Sequence, residues 1–592
     1  MRVGADTGGT FTDVVADDGR IAKVLSTPTD PGQAVRLGLA QLTSSPPDAL
    51  AHGTTIATNA LLEGKGAPVA LLTTEGLGDV IEIARQDRPS LYDNRVVRPA
   101  PLVPRGWRLE VSGRLAADGS ELVPLDEPSV PDVPAGAEVV AVCLLHADLD
   151  PRHEVAVAAV LRAVGLDVTC SHEVSPEMRE YERTVTTVVN ASLRPHCRDY
   201  LQGLSGVAGE VLVMTSAGGL VPAPDAADLP AALLLSGPAG GVRAGAAVAL
   251  ANGFADVITF DMGGTSTDVC LVLDGAPAPA AQRSVGGYPV RFPSLDIHTI
   301  GAGGGSIARL DPGGALVVGP DSAGADPGPA CYGRGGTQPT VTDADLVAGR
   351  IPADSAFGGL ALDASAAAAA LDAAGVSAQG VIDVVDAAME RALRAVSVER
   401  GVDPRRLTLV AFGGAGPLHA CALADALDMA AVLVPARAGV LSAVGLLTSP
   451  RERTVVRSWP TPGVRDGMDD RLASLAREAA ALVGPSAAVA TSVDCRYAGQ
   501  SHELTVPSVD DFHEAHRLRN GFARPEAPIE VVALRATATV AGGLDLTDLP
   551  VVARERATGP IVLAEPDCTI WVPNGWTAEP GAAGALLLRR QR

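Results

Sequence analysis

Several things are missing from this 592-residue chain, and each absence removes a class of protein. No block of Lys and Arg is dense enough to follow a nucleic-acid backbone or an anionic lipid surface, and the formal net charge is -23. No apolar run approaches the roughly 18 residues of a membrane span, and the opening MRVGAD lacks the charged and apolar regions of a signal peptide. The eight cysteines (Cys143, Cys170, Cys197, Cys270, Cys331, Cys421, Cys495 and Cys568) form no CxxC pair and no disulfide-scaffold spacing, which fits reduced thiols in a cytoplasmic protein. There is no GxSxG nucleophile elbow, and the GK at 64–65 lacks the Ser/Thr and upstream glycine of a P-loop. GAGGGS (301–306) places Ser306 where a dinucleotide fingerprint needs its last glycine, and no HxH pair suggests a barrel-type metal amidase. The expectation is an enzyme without nucleic-acid or membrane partners.

What is present is enough apolar residue, 47%, for large cores, so the chain reads as multidomain and globular. Strand and helix patterns alternate to about residue 450, and a strand-rich tail follows. EVVAVCLLHA (138–147) reads as a buried strand, 151–165 as an amphipathic helix closed by Gly165, and 363–375 as an alanine-rich helix with Asp363 as N-cap. The proline-rich stretches 124–134 and 222–230 read as connectors. In the tail, 493–507 and 529–540 show the alternation of strands.

The most informative feature is a repeat. DTGGTFTD (6–13) recurs as DMGGTSTD (261–268), identical at six of eight positions. Each copy follows a short apolar strand and precedes another, which predicts two strand, turn, strand units. Gly8-Gly9 and Gly263-Gly264 permit positive φ and a backbone approach that a Cβ would block, so N–H groups can converge on an anion. Thr7, Thr10, Phe11, Thr265 and Ser266 complete the two turns, and the hydroxyls add donors. An aspartate beside a phosphate cradle repels the phosphate unless a divalent cation lies between, so Asp6 and Asp261 read as Mg²⁺ ligands and as the groups that orient the attack. The plainer reading, turn caps alone, stays open. Asp13 and Asp268 read as braces of the turns.

A third glycine element, Gly413-Gly414-Ala415-Gly416, joins a strand to a helix and would form the wall for the adenosine of ATP.

Two DxGGT hairpins followed by a GGxG turn resemble the acetate and sugar kinase, Hsp70 and actin superfamily, in which two ribonuclease-H-like α/β lobes close on ATP. More closely, GADTGGTFTDVV, HGTTIATNALLE (52–63), REYERTVTTVVNASLRP (179–195), LSGPAGGV (235–242), FDMGGTSTDVCLV (260–272), DIHTIGAGGGSIA (296–308), DPGPACYGRGG (326–336) and AFGGAGPLHA (411–420) resemble the A subunit of the hydantoinase/oxoprolinase family. The resemblance covers about residues 1–450. It implies an N-terminal lobe over 1–200, an ATPase lobe over 201–455 and a smaller β-rich domain over 456–592, whose sequence matches less densely. It also implies ATP-dependent phosphorylation of the carbonyl oxygen of a lactam, imide or ketone, with a B-type subunit as partner. An acetone or acetophenone carboxylase ATPase subunit is the alternative within the family, and an actin-like scaffold the alternative outside it. The loops GAGGGS and DPGPACYGRGG exceed what gripping a nucleotide needs and read as substrate loops.

His52, Asn59, Asp296 and His298 are candidates for contact with substrate or a second metal, against the plain alternative of structural residues. His419 reads as structural, and His513 with His516 as a solvated helical face. The small-residue helices 232–251 and 436–449 suggest a close crossing between the lobes.

Overall fold

A computed structural model describes residues 1–591 except 28–29, 88–89, 94, 126–131, 281 and 355–360. The connector expected at 124–134 therefore lies mostly outside the described residues.

Two large mixed sheets organise the chain, one built around each copy of the octapeptide. In the first, Arg2–Thr7 pairs antiparallel with Phe11–Ala16, which pairs antiparallel with Ile21–Leu25. On its other side Arg2–Thr7 pairs parallel with Ala49–Thr54, and that strand with Glu210–Met214. The second sheet repeats the plan: Val257–Met262 pairs antiparallel with Thr267–Leu273, which pairs antiparallel with Ile297–Ile300. On its other side lie the parallel strands Thr408–Phe412 and Ala431–Val434. These parallel strands, HGT in the first sheet and TLVAF and AVLV in the second, are buried almost throughout because helices cover both faces.

A four-stranded parallel sheet (Asp167–Cys170, Val139–Cys143, Val69–Thr74, Arg108–Val111) is inserted in the first half. Its helix Arg152–Ala163 stops before Gly165, which takes φ +86°, as the glycine placement predicts. Helix Ala364–Ala374 likewise begins where Asp363 accepts from the backbone N–H of Ser365 and Ala366.

The tail is rich in strands but does not form one body. Arg451–Ser458, Ile529–Val540, Ala488–Tyr497 and Leu504–Val506 prolong the first sheet beyond Leu220–Pro222, whereas Leu586–Arg590 and Trp576–Pro580 prolong the second beyond Ala431–Val434. Each open sheet edge offers unpaired N–H and C=O groups, and the tail satisfies both.

Helices Gly237–Ala251 and Leu441–Thr448 cross in contact. A Cβ at Gly445 would overlap the carbonyl oxygen of Gly240, and one at Gly240 would lie 2.7 Å from the carbonyl oxygen of Ser442. The small residues of both segments are what permit this approach. Among the described residues all eight cysteines are free and buried, and no single helix is long and apolar enough to cross a membrane.

Candidate functional site

Both hairpins close by the same bond: Gly8 N–H donates to the Phe11 carbonyl at 3.0 Å, and Gly263 N–H to the Ser266 carbonyl at 3.0 Å. The tips of the two hairpins meet. A Cβ at Gly264 would stand 3.0 Å from Thr10 Oγ1, so a side chain there would push the hairpins apart. Contrary to the expectation of positive φ, none of Gly8, Gly9, Gly263 and Gly264 adopts it. Their value is space: Gly9 has nothing within 4 Å of where a Cβ would sit, and the N–H groups of Gly9, Thr10, Gly264 and Thr265 donate to no protein acceptor among the described residues. Positive φ belongs instead to Gly413, at +80°.

The tips open into one cavity of about 670 Å³. Asp6, Thr7, Gly8, Gly9, Thr10 and Phe11 line it from one hairpin, and Asp261, Gly263, Gly264, Thr265 and Ser266 from the other. Gly413, Gly414 and Ala415 form a third wall; Gly416 does not reach the cavity and packs under Phe260 and Met262 at the start of helix Gly416–Ala426. Register sets the chemistry. Asp6 faces Asp13 and Asp261 faces Asp268, one rung in from each tip. Parallel pairing brings Gly53 beside Asp6, where a Cβ would stand 2.6 Å from Oδ1, and Gly413 beside Asp261.

Seven carboxylates line the cavity (Asp6, Asp13, Asp261, Asp268, Asp345, Glu565, Asp567) against one basic side chain, Lys23. Burial, then Asp13 and Asp268, push the Asp6 carboxyl up to about 7 despite Lys23. Burial followed by Asp268, Asp6 and Asp13 holds Asp261 well above the carboxylate range. Burial raises Asp268 to about 6, moderated by the Thr299 hydroxyl that donates to it at 2.5 Å. Asp13 is raised by burial and steadied by Lys23 Nζ at 2.7 Å. Across the hairpins the aspartates lower one another's tendency to ionise, so the site is short of positive charge. A hard, oxygen-seeking divalent cation fits that donor set.

The glycine loop 301–306 braces the second hairpin from behind: Gly304 and Gly305 N–H groups donate to the carbonyls of Gly263 and Gly264 at 3.0 and 2.6 Å. Pro329 and Tyr332 of the loop 326–336 line the same cavity as the hairpins. Both loops therefore border the cavity that the two hairpins line.

The four remaining candidates separate. Asn59 lines the cavity, its amide donating to Thr55 Oγ1 at 3.2 Å. His52 does not: it is wholly buried, with Nδ1 2.9 Å from the Ala5 carbonyl and Nε2 2.8 Å from the Tyr200 hydroxyl, and burial lowers it to about 4. Both ring nitrogens are used, leaving none for a metal. Asp296 pairs with Arg400 and lines a different cavity, and His298 is exposed on the strand paired with 267–273. His516 is buried against Tyr497 and Phe522 rather than on a solvated face, because Tyr497 turns into the helix that carries it. His419 is buried between Asp386, 2.7 Å from Nδ1, and Asp345, 3.2 Å from Nε2. Burial opposes its charge, but the two carboxylates outweigh it and raise it to about 10. Lys23 and Asp345 were not singled out from the sequence; Lys23 reaches Asp13 only through the pairing of 11–16 with 21–25, which the octapeptide does not announce.

The hydantoinase/oxoprolinase profile matches residues 183–454, and the hydantoinase/oxoprolinase N-terminal region matches residues 2–165. The chain is similar to caprolactamase subunit alpha of Pseudomonas jessenii, with 34% identity over 99% of both chains. It is also similar to the acetophenone carboxylase gamma subunit of Aromatoleum aromaticum, with 35% identity over 74% of this chain and 66% of that one. The crystal structure of the ATP-dependent caprolactamase from Pseudomonas jessenii superposes with a TM-score of 0.86 at 31% identity, covering all of both chains. The α/β architecture of the two sheets is thus shared over the whole length.

Proposed function

The chain belongs to the hydantoinase/oxoprolinase family, and from that premise we propose that it is the ATP-dependent subunit of a cyclic amide hydrolase. It phosphorylates the carbonyl oxygen of a hydantoin- or 5-oxoproline-like ring so that water can open it, together with a B-type subunit. One observation carries the reading: two hairpins that share six of eight residues, from separate sheets, line a single cavity with their aspartates and their free N–H groups.

In this reading each sheet is the core of a ribonuclease-H-like lobe, supported by the repeated order of hairpin, first strand and two parallel strands. Gly9, Thr10, Gly264 and Thr265 direct backbone N–H groups at the phosphates, and Thr10, Thr265 and Ser266 add hydroxyls. Gly413, Gly414 and Ala415 give the nucleoside a flat wall. Asp6 and Asp261 would hold Mg²⁺, which supplies charge neutralisation on the phosphoryl oxygens when bound. Asp13 and Lys23 fix the first hairpin, and Asp268 and Thr299 the second. Phosphoryl transfer rests on positioning and charge neutralisation rather than on a protein nucleophile, and the cavity lining supplies donors, carboxylates and one lysine.

Transfer of the γ-phosphoryl group to the amide oxygen releases ADP and leaves the ring carbon electrophilic. Water then adds to that carbon, the C–N bond breaks with the ring nitrogen taking a proton, and the resulting acyl phosphate gives the free carboxylate and phosphate on attack by a second water. The buried, unpaired thiols support a cytoplasmic setting. The test is phosphate release against a panel of lactams, imides and ketones with the co-purified partner. Release with hydantoin or oxoproline supports the reading; release only with acetone and bicarbonate would assign a carboxylase instead. Asp261→Ala is expected to abolish release while the protein stays folded, and a variant that still turns over would remove Asp261 from the mechanism.

A further inference from the structure

A second cavity lies apart from the hairpins. About 1180 Å³ of space lies where the first half, the segment 279–296 and the tail's sheet come together. Its floor is one face of that sheet. Alternation in ALRATATV turns Leu534, Ala536 and Ala538 to the apolar core beneath helix Met468–Val483, and turns Arg535 and Thr537 to the cavity. A polar sheet face usually meets solvent; this one is turned inward.

Charge on the wall runs against the charge of the chain. Six arginines (Arg85, Arg179, Arg291, Arg496, Arg519, Arg535) face four carboxylates (Glu182, Asp296, Glu452, Glu503) in a protein of net charge -23. The deep arginines are held in place by shared acids. Glu503 pairs with Arg179 and Arg291, Glu177 with Arg291 and Arg535, and Asp494 with Arg535 at 2.7 Å. Arg179 takes φ +86° at the start of helix Glu180–Gln202, a strained backbone for a residue with a side chain, and points that side chain to the wall. Arg519 and His502, both exposed, line the cavity without an ion-pair partner among the described residues. Hydroxyls of Thr454, Ser492, Thr505 and Thr537 line the polar side, and Met178, Pro279, Pro293, Leu295 and Leu504 line the apolar side.

We propose that this cavity is a second small-molecule site, selective for an organic carboxylate. Arg85, Arg179, Arg291, Arg496 and Arg535 are each already paired with a carboxylate, so it is the free guanidinium of Arg519, set among their remaining N–H donors, that favours an anion, and a guanidinium fork matches a carboxylate. The volume far exceeds that of an inorganic oxyanion, and the apolar wall suits a carbon chain. Asp296 lines this cavity and Thr299, three residues on, lines the hairpin cavity, so along the extended segment the two are roughly 10 Å apart. The proposal stands apart from the assignment of the hairpin cavity.

Calorimetric titration of the full-length chain with glutarate, inorganic phosphate and 1,5-pentanediol, each with and without saturating ADP, tests it. Glutarate is expected to bind whether or not ADP is present, with phosphate and the diol weaker. Arg519→Ala, on an exposed helical position, is expected to weaken glutarate at least about tenfold with unchanged thermal unfolding, and Arg519→Lys to retain part of the affinity. Displacement of glutarate by ADP, equal binding of phosphate or diol, absence of glutarate binding, or full affinity in both Arg519→Ala and His502→Ala would each overturn the assignment.

Discussion

Gly413 stands so close to the Asp261 carboxylate that a Cβ would overlap Oδ1, and its backbone holds φ +80°. The same wall is kept at the other hairpin by Gly53 beside Asp6. Gly53, within a parallel strand, and Gly413, just past the end of another, thus leave each aspartate its space.

Gly413→Ala combines a left-handed backbone, costing about 1–2 kcal/mol for an L residue, with a steric conflict at Asp261. It is expected to lower the melting temperature and to cut ATP turnover by about two orders of magnitude or more. Gly414→Ala, with nothing within 4 Å and no positive φ, is expected to leave the melting temperature unchanged. Equal melting temperatures for the two variants would contradict the geometry.

Asp6→Asn and Asp261→Asn each remove a member of a mutually repelling set. Without nucleotide, each variant should melt about 1–3 °C above the parent at pH 7.5. With Mg²⁺ and ADP the order should reverse, because the parent gains ligand stabilisation that the variants lose. Chelation of Mg²⁺ by EDTA should abolish the parent's gain. Differential scanning calorimetry with and without the ligands reads both effects.

His419 has a folded pKa raised to about 10 by Asp345 and Asp386 against burial. Its folded value exceeds its unfolded one, so its stabilising contribution is complete below about 6.5 and is lost as pH rises towards 10. Denaturant midpoints should fall over that window. His419→Gln should be flatter over the same window and less stable at neutral pH by about 3–5 kcal/mol, since two carboxylates lose their buried counter-cation. A parent midpoint that stays level from pH 6.5 to 10 would sink the assignment.

Gly445→Val would drive a branched side chain into the carbonyl of Gly240 where the two helices cross. The expected cost is at least about 3 kcal/mol, the upper end for overpacking, with loss of ATP binding because the crossing joins the two sheets. Leu447→Met, at a nearby buried position, should cost less than about 1.5 kcal/mol.

Much of this architecture was legible in the one-dimensional record. The repeated DxGGT, the flanking apolar triplets and the GGAG turn carry enough local chemistry to specify hairpins and a glycine turn, because those choices depend on neighbours a few residues away. Helix limits at Gly165, Asp363 and Gly375 could be read for the same reason. The histidines were less readable. Whether an imidazole faces a cleft or is spent on a carbonyl is decided by what packs against it, and nothing near His52 in sequence announces Ala5 or Tyr200.

From sequence alone came the duplication, the acid–glycine chemistry of each turn and the α/β pattern, all properties of short segments. Only the folded chain decided that the two turns meet, that Asp6 and Asp261 share one cavity with Lys23 and Asp345, and that the tail is divided between two sheets. Those outcomes depend on contacts between residues hundreds of positions apart, where strand register and close helix crossing, rather than local preference, set which groups face each other.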